Sequence, residues 1–98
     1  MNFRLKITST AKKTLKELRS NLGTTKDYKA VRKVISFLGT NPRHPGLQTH
    51  LIHSFCGPSG EKVFEAYAQQ NTPSAYRIFF YYGPNKKEIT IFAIIPHS

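Results

Sequence analysis

AYRIFFYYGPNKKEITIFAIIP, residues 75–96, decides the fold. Residues 76–82 are aromatic or β-branched apart from one arginine, and residues 88–95 form a second β-branched, apolar run. Gly83, Pro84, Asn85 and Lys86 lie between them, and two such runs around turn residues predict an antiparallel hairpin. Successive side chains of a strand point to opposite faces, so Ile78 and Phe80 share one face while Arg77, Phe79 and Tyr81 share the other. A guanidinium set in a central apolar strand needs a partner, because an unpaired buried charge is costly.

Working back from the hairpin, residues 62–69 predict a third strand that separates Phe64, Ala66 and Ala68 from Val63, Glu65, Tyr67 and Gln69. Glu65 is the candidate partner of Arg77 across the sheet. Residues 51–55 predict a shorter strand, with turns at 57–60 and 71–74, and Cys56 reads as a small apolar filler at a turn. At the N-terminus, residues 2–8 alternate Phe3, Leu5 and Ile7 with Arg4, Lys6 and Thr8, so another strand carries its basic pair away from the core. Between these strands lie two helical patterns. Ser9 or Thr10 is expected to cap the first, Ala11, Leu15, Leu18 and Leu22 form its apolar stripe, and Gly23 stops it. The second spans about residues 26–38, buries Val31, Val34, Ile35 and Leu38, and is expected to end at Gly39. Two prolines and two glycines within residues 39–46 then break regular structure. The order β-α-α-β-β-β-β predicts an α+β fold, a helical hairpin packed on one face of a small, mostly antiparallel sheet, as one domain over residues 1–98.

Composition narrows the function classes. Fifteen Lys and Arg against five Asp and Glu give the 98-residue chain a formal charge of +10 and a pI near 10.1. Such a field attracts polyanions, although a merely solvated basic surface has the same composition. Apolar runs fall short of the roughly 20 residues of a spanning helix, and the alternating N-terminus is unlike a signal peptide, so a cytoplasmic location is expected. Cys56 has no second cysteine to pair with, and His44, His50 and His53 follow no standard zinc spacing, so no metal or other cofactor is expected. The sequence lacks GxSxG, HExxH, P-loop and GxGxxG motifs, which disfavours the corresponding hydrolases and nucleotide-binding enzymes. The sheet face away from the helices mixes basic, acidic and aromatic groups. Stacking on aromatic rings contributes about 1–3 kcal/mol per base, so this face suits single-stranded RNA; the plain structural alternative is a partly solvated sheet whose Arg77 and Glu65 pair with each other.

Several stretches, taken in order, resemble the RelE/ParE toxin superfamily over nearly the whole chain. They are Phe3-Arg4-Leu5-Lys6-Ile7-Thr8 followed by Ala11-Lys12-Lys13-Thr14-Leu15, then Asn41-Pro42-Arg43-His44-Pro45-Gly46-Leu47, Val63-Phe64-Glu65, Ala75-Tyr76-Arg77-Ile78-Phe79-Phe80 and the closing Ile94-Ile95-Pro96-His97-Ser98. The resemblance implies a toxin of a type II toxin–antitoxin pair, oligomeric with a cognate acidic antitoxin. Many relatives cut messenger RNA on the ribosome without a metal, by attack of a ribose 2′-OH on the adjacent phosphate. The ParE branch instead inhibits DNA gyrase, and a non-catalytic nucleic-acid-binding member is the third possibility.

Carried over by residue, the resemblance makes Arg77 the phosphate clamp and His97 the general acid, with Glu65 as base or orienting partner. Tyr67 and Tyr81 are candidates to stack bases, and Lys6 and Arg43 to hold flanking phosphates. This chain departs from the family pattern at three points. Ala66 and Tyr67 stand where ribonuclease relatives place an additional Arg or Lys, Ser98 stands where some end in a catalytic Tyr, and no carboxylate lies near Gly46.

Overall fold

Thr8 turns the first strand into the first helix: its Oγ1 accepts a hydrogen bond from the Ala11 amide at 3.3 Å, satisfying one of the free N–H groups of the opening turn. The computed structural model describes residues 2–68 and 75–96. Its elements are β1 (Arg4–Ile7), α1 (Ser9–Ser20), α2 (Thr25–Thr40), β2 (His50–Cys56), β3 (Lys62–Tyr67), β4 (Tyr76–Tyr82) and β5 (Glu88–Pro96), with short 3-10 turns at Leu22–Thr24 and Pro45–Leu47.

The five strands form one sheet in the order β1-β5-β4-β3-β2. β1 runs parallel to β5 and every other pairing is antiparallel. The helical hairpin returns the chain so that the first and last strands lie side by side. One face of the sheet carries Ile78, Phe80, Ile89, Ile91 and Ile94, and it packs under Ala11 and Leu18 of α1 and Val31, Val34, Ile35 and Leu38 of α2. Each fully buried side chain of this size contributes about 1.5–3 kcal/mol relative to exposure, which fixes which face the helices cover. Arg4 and Lys6 are exposed on the other side, as the alternation requires.

Several local expectations are corrected. The cap of α1 is Thr8, not Ser9 or Thr10, and α1 ends at Ser20 with Asn21 extended beyond it. Leu22 therefore falls outside the helical stripe and is 94% exposed. Gly23 sits in the following 3-10 turn, where its amide donates to Asn21 Oδ1 at 2.8 Å. Gly39 does not end α2 but lies in its last turn, because β1 crosses there: the Phe3 amide donates to the Gly39 carbonyl at 2.7 Å, and a Cβ at 39 would meet Leu5 Cδ1 at 3.3 Å. Cys56, expected as a filler, is exposed.

Two irregularities shape the open face. Between β4 and β5 the register passes from Phe79↔Ala93 to Phe80↔Ile91, so Phe92 is an extra residue in β5. Between β2 and β3 it passes from Ile52↔Val63 to Cys56↔Lys62, leaving residues 53–55 without paired partners. A bulge bends its strand and re-aims side chains. Here both bulges place an aromatic ring, Phe92 and Phe55, over Phe79 on the face the helices leave bare.

Candidate functional site

The bare face is organised around Arg77. In β4 it stands directly opposite Tyr67 of β3 and Ile95 of β5, next along the face to Phe79. Its Nη1 donates to Glu65 Oε2 at 3.0 Å, and its guanidinium carbon lies 5.4 Å from the centre of the Phe79 ring. Glu65 is 6% and Arg77 28% exposed at the side chain, so the carboxylate is sealed under the cation while part of the guanidinium reaches solvent. Arg77 Nε is buried with no hydrogen-bond partner.

Tyr67 completes the cluster. Its hydroxyl donates to Glu65, and its pKa is raised above the ordinary 10.0, first by burial, then by the Glu65 charge and that hydrogen bond, with Arg77 opposing. The phenol thus stays protonated across the neutral range. His50, opposite Glu65 in the β2–β3 register, is exposed and meets the Tyr67 ring edge-on at 5.8 Å.

Beside this polar group lies an aromatic trough. Phe55 stacks on Phe79 with centroids 6.0 Å apart, and Phe92 closes edge-on against both at 6.5 and 6.3 Å. Ile52, Ser54, Ala93 and Ile95 finish a groove of about 440 Å³ that also takes in Glu65 and Arg77. Phe55 is 46% and Ile95 42% exposed, so two large apolar side chains meet solvent next to a cation.

The structure therefore brings together Arg77, Glu65 and Tyr67 of the expected residues. Tyr81 is on the same face but only 8% exposed, with its ring tilted against Phe92, so it backs the trough and presents no free stacking surface. Lys6 is exposed on β1, two strands and four residues away through Thr90 and Tyr81. Strand spacing and rise put its Cα roughly 16 Å from that of Arg77. Arg43 stands elsewhere: it lines a separate cavity of about 610 Å³ with Phe3, Thr40, Asn41, Pro42 and Tyr82. Tyr82 belongs to the helix-side face and to the other end of β4, roughly 17 Å along the strand from Arg77. His97 lies outside the described residues. Sequence reasoning missed Phe55, Phe92 and His50; for Phe55, strict alternation points to the helix side and only the bulge in β2 re-aims the ring. Among the described residues no group of three or more His, Cys, Asp and Glu side chains is placed to hold a metal ion. Among them, too, no helix is long and apolar enough to cross a membrane.

No protein-family model and no curated protein sequence matches this chain. Solved structures do. A chain of the archaeal RelE–RelB complex from Pyrococcus horikoshii superposes with a TM-score of 0.67 at 18% identity, covering 100% of this chain and 98% of that one. The fold is RelE-like. The YoeB dimer from Staphylococcus aureus agrees, with a TM-score of 0.65 at 13% identity and full coverage of both chains. With so little identity the RelE-like likeness is one of backbone, and the chemistry has to be read from the side chains of the bare face.

Proposed function

We propose that this chain is the toxin of a toxin–antitoxin pair and that its bare sheet face binds and cleaves single-stranded messenger RNA on the ribosome, in the cytoplasm. The observation that carries this reading is a partly exposed guanidinium at the edge of an aromatic trough, on a RelE-like fold with a net charge of +10. A base stacked on Phe55 leaves its phosphate beside Arg77, and the surrounding positive field draws the strand in.

Cleavage of this kind uses the ribose 2′-OH. Its oxygen attacks phosphorus, the bond from phosphorus to the 5′-oxygen breaks, and the products are a 2′,3′-cyclic phosphate and a free 5′-OH. One proton leaves the 2′-oxygen and one reaches the departing 5′-oxygen. Arg77 stabilises the charge that gathers on the phosphoryl oxygens. Glu65 is poorly placed as the base, since its carboxylate is covered and already accepts from Arg77 and Tyr67. Proton transfer falls to imidazoles: His97 by resemblance and His50 by its place on this face. The partner is an acidic antitoxin segment that covers the same face and neutralises its charge.

Induced expression followed by primer extension tests the reading. Growth arrest with new message ends, both abolished by Arg77→Ala in a protein that still folds, is the expected result. Arrest with intact message refutes it. A second reading, a toxin that acts by gripping a protein such as DNA gyrase, is favoured by the exposed pair Phe55 and Ile95, since apolar patches of this kind mark protein contacts. It requires inhibited supercoiling while RNA stays whole.

A further inference from the structure

Glu65 is unusual for what it does to Arg77. A guanidinium offers five N–H groups, usable in pairs along its edges. Here Nη1 is committed to Glu65 at 3.0 Å and Nε is buried without a partner. What remains for a ligand is Nη2 and the second N–H of Nη1, and an anion bound there lies next to a carboxylate that is 5% exposed and fixed in place by Tyr67 as well. The cation of the site is thus already half satisfied by an anion built into the neighbouring strand.

We infer that Glu65 sets the ligand class of the Arg77 site: by drawing on the guanidinium through Nη1 it keeps the site weak for an isolated phosphate, so that only a nucleotide chain whose base also stacks on the exposed face of Phe55 is held. This deepens the RNA-binding reading above and rests on it. The physical basis is competition between two like charges for one cation, with the carboxylate favoured because it is covalently placed. Stacking supplies what the phosphate contact lacks. A free phosphate has no stacking surface and gains little from the groove. The arrangement also leaves Glu65 outside proton transfer, as a positioning and affinity-setting residue.

Glu65→Gln tests this, because the amide oxygen still accepts from Arg77 while the charge is gone. The probes are inorganic phosphate and a four-nucleotide single-stranded RNA made uncleavable with 2′-deoxyribose. The reporter is the Arg77 Nε–H resonance, whose buried position slows its exchange with water. The expected result is a gain of at least about tenfold in phosphate affinity, equivalent to ~1.4 kcal/mol, and a smaller gain for the tetranucleotide. Glu65→Leu, of similar length and apolar, serves as the second variant should Gln disturb folding, with the same expected gain. Phosphate affinity unchanged or reduced in a folded variant overturns the inference. The underlying RNA reading fails separately, on the outcome that Arg77→Ala, with otherwise wild-type sequence, binds the fluorescently labelled tetranucleotide as tightly as wild type by anisotropy.

Discussion

Replacing Phe55 by alanine separates binding from folding. Phe55 sits on the bulged part of β2, where its ring covers Phe79 on one side and faces solvent on the other. Full burial of a phenylalanine contributes about 1.5–3 kcal/mol, so with the ring 46% exposed its truncation costs about 1 kcal/mol of stability. Losing a base stack costs about 1–3 kcal/mol of binding, or roughly 5- to 150-fold in Kd. Urea unfolding measures the first quantity, and fluorescence anisotropy of a labelled uncleavable RNA measures the second. Leu22→Ala is the matched control, since Leu22 is 94% exposed and lies outside the bare face. Its effect on both measurements is expected to be negligible. Wild-type RNA affinity in folded Phe55→Ala would show that no base stacks in the trough, and the assignment of the groove to RNA would go with it.

Other consequences are equally direct. Arg77→Ala strands a carboxylate that is 5% exposed and costs about 2 kcal/mol, whereas adding Glu65→Gln recovers part of that loss; strictly additive costs in a double-mutant cycle would contradict a coupled pair. Gly39→Val forces a side chain against Leu5, whose Cδ1 lies 3.3 Å from where a Cβ would sit, and is expected to lower the thermal midpoint through a loss of about 1–3 kcal/mol. The raised pKa of Tyr67 means that the folded chain holds this proton more tightly than the unfolded one. Its contribution is fully present below the ordinary pKa of 10.0 and is lost as pH rises through the folded value, so Tyr67→Phe should flatten the decline in stability at alkaline pH. Arg43→Ala, changing a cavity away from the Arg77 groove, should leave cleavage chemistry intact and lower the salt slope of RNA binding by at most about 0.7, the share of one phosphate.

How far the sequence discloses this molecule depends on which physical signal each feature leaves. Faces of β3 and β4 were legible because alternation is a local rule with no competitor between residues 76 and 82, and it placed Arg77, Phe79 and Tyr81 together with Glu65 opposite. Apolar stripes on the helices were legible for the same reason. Gly39 was misread because a glycine inside a pattern signals either a stop or a close approach, and only the crossing of β1 decides between them. Leu22 was misread because helical spacing continues past the point at which Asn21 turns extended.

The site itself divides along the same line. Its polar half, Arg77 with Glu65 and Tyr67, follows from strand parity and pairing. Its aromatic half follows only in part: alternation from Ile89 and Ile91 carries Phe92 to the bare face beside Thr90, but Phe55 arrives there through a bulge, a departure from the period that makes a strand readable. In β5 the inserted Phe92 also moves Ile94 to the core and Ile95 to the bare face, reversing the parity that residues 89 and 91 establish. Flat continuation of β5 would have buried Ile95 and set Ile94 opposite Arg77 in its place. The two irregularities that defeat pattern reading therefore shape the groove: one brings Phe55 over Phe79, and the other sets Ile95 beside a cation whose charge Glu65 already shares. Under the RNA-binding function proposed above, base stacking and phosphate contact depend on each other, which is the property expected of a site that holds a strand and lets go of its fragments.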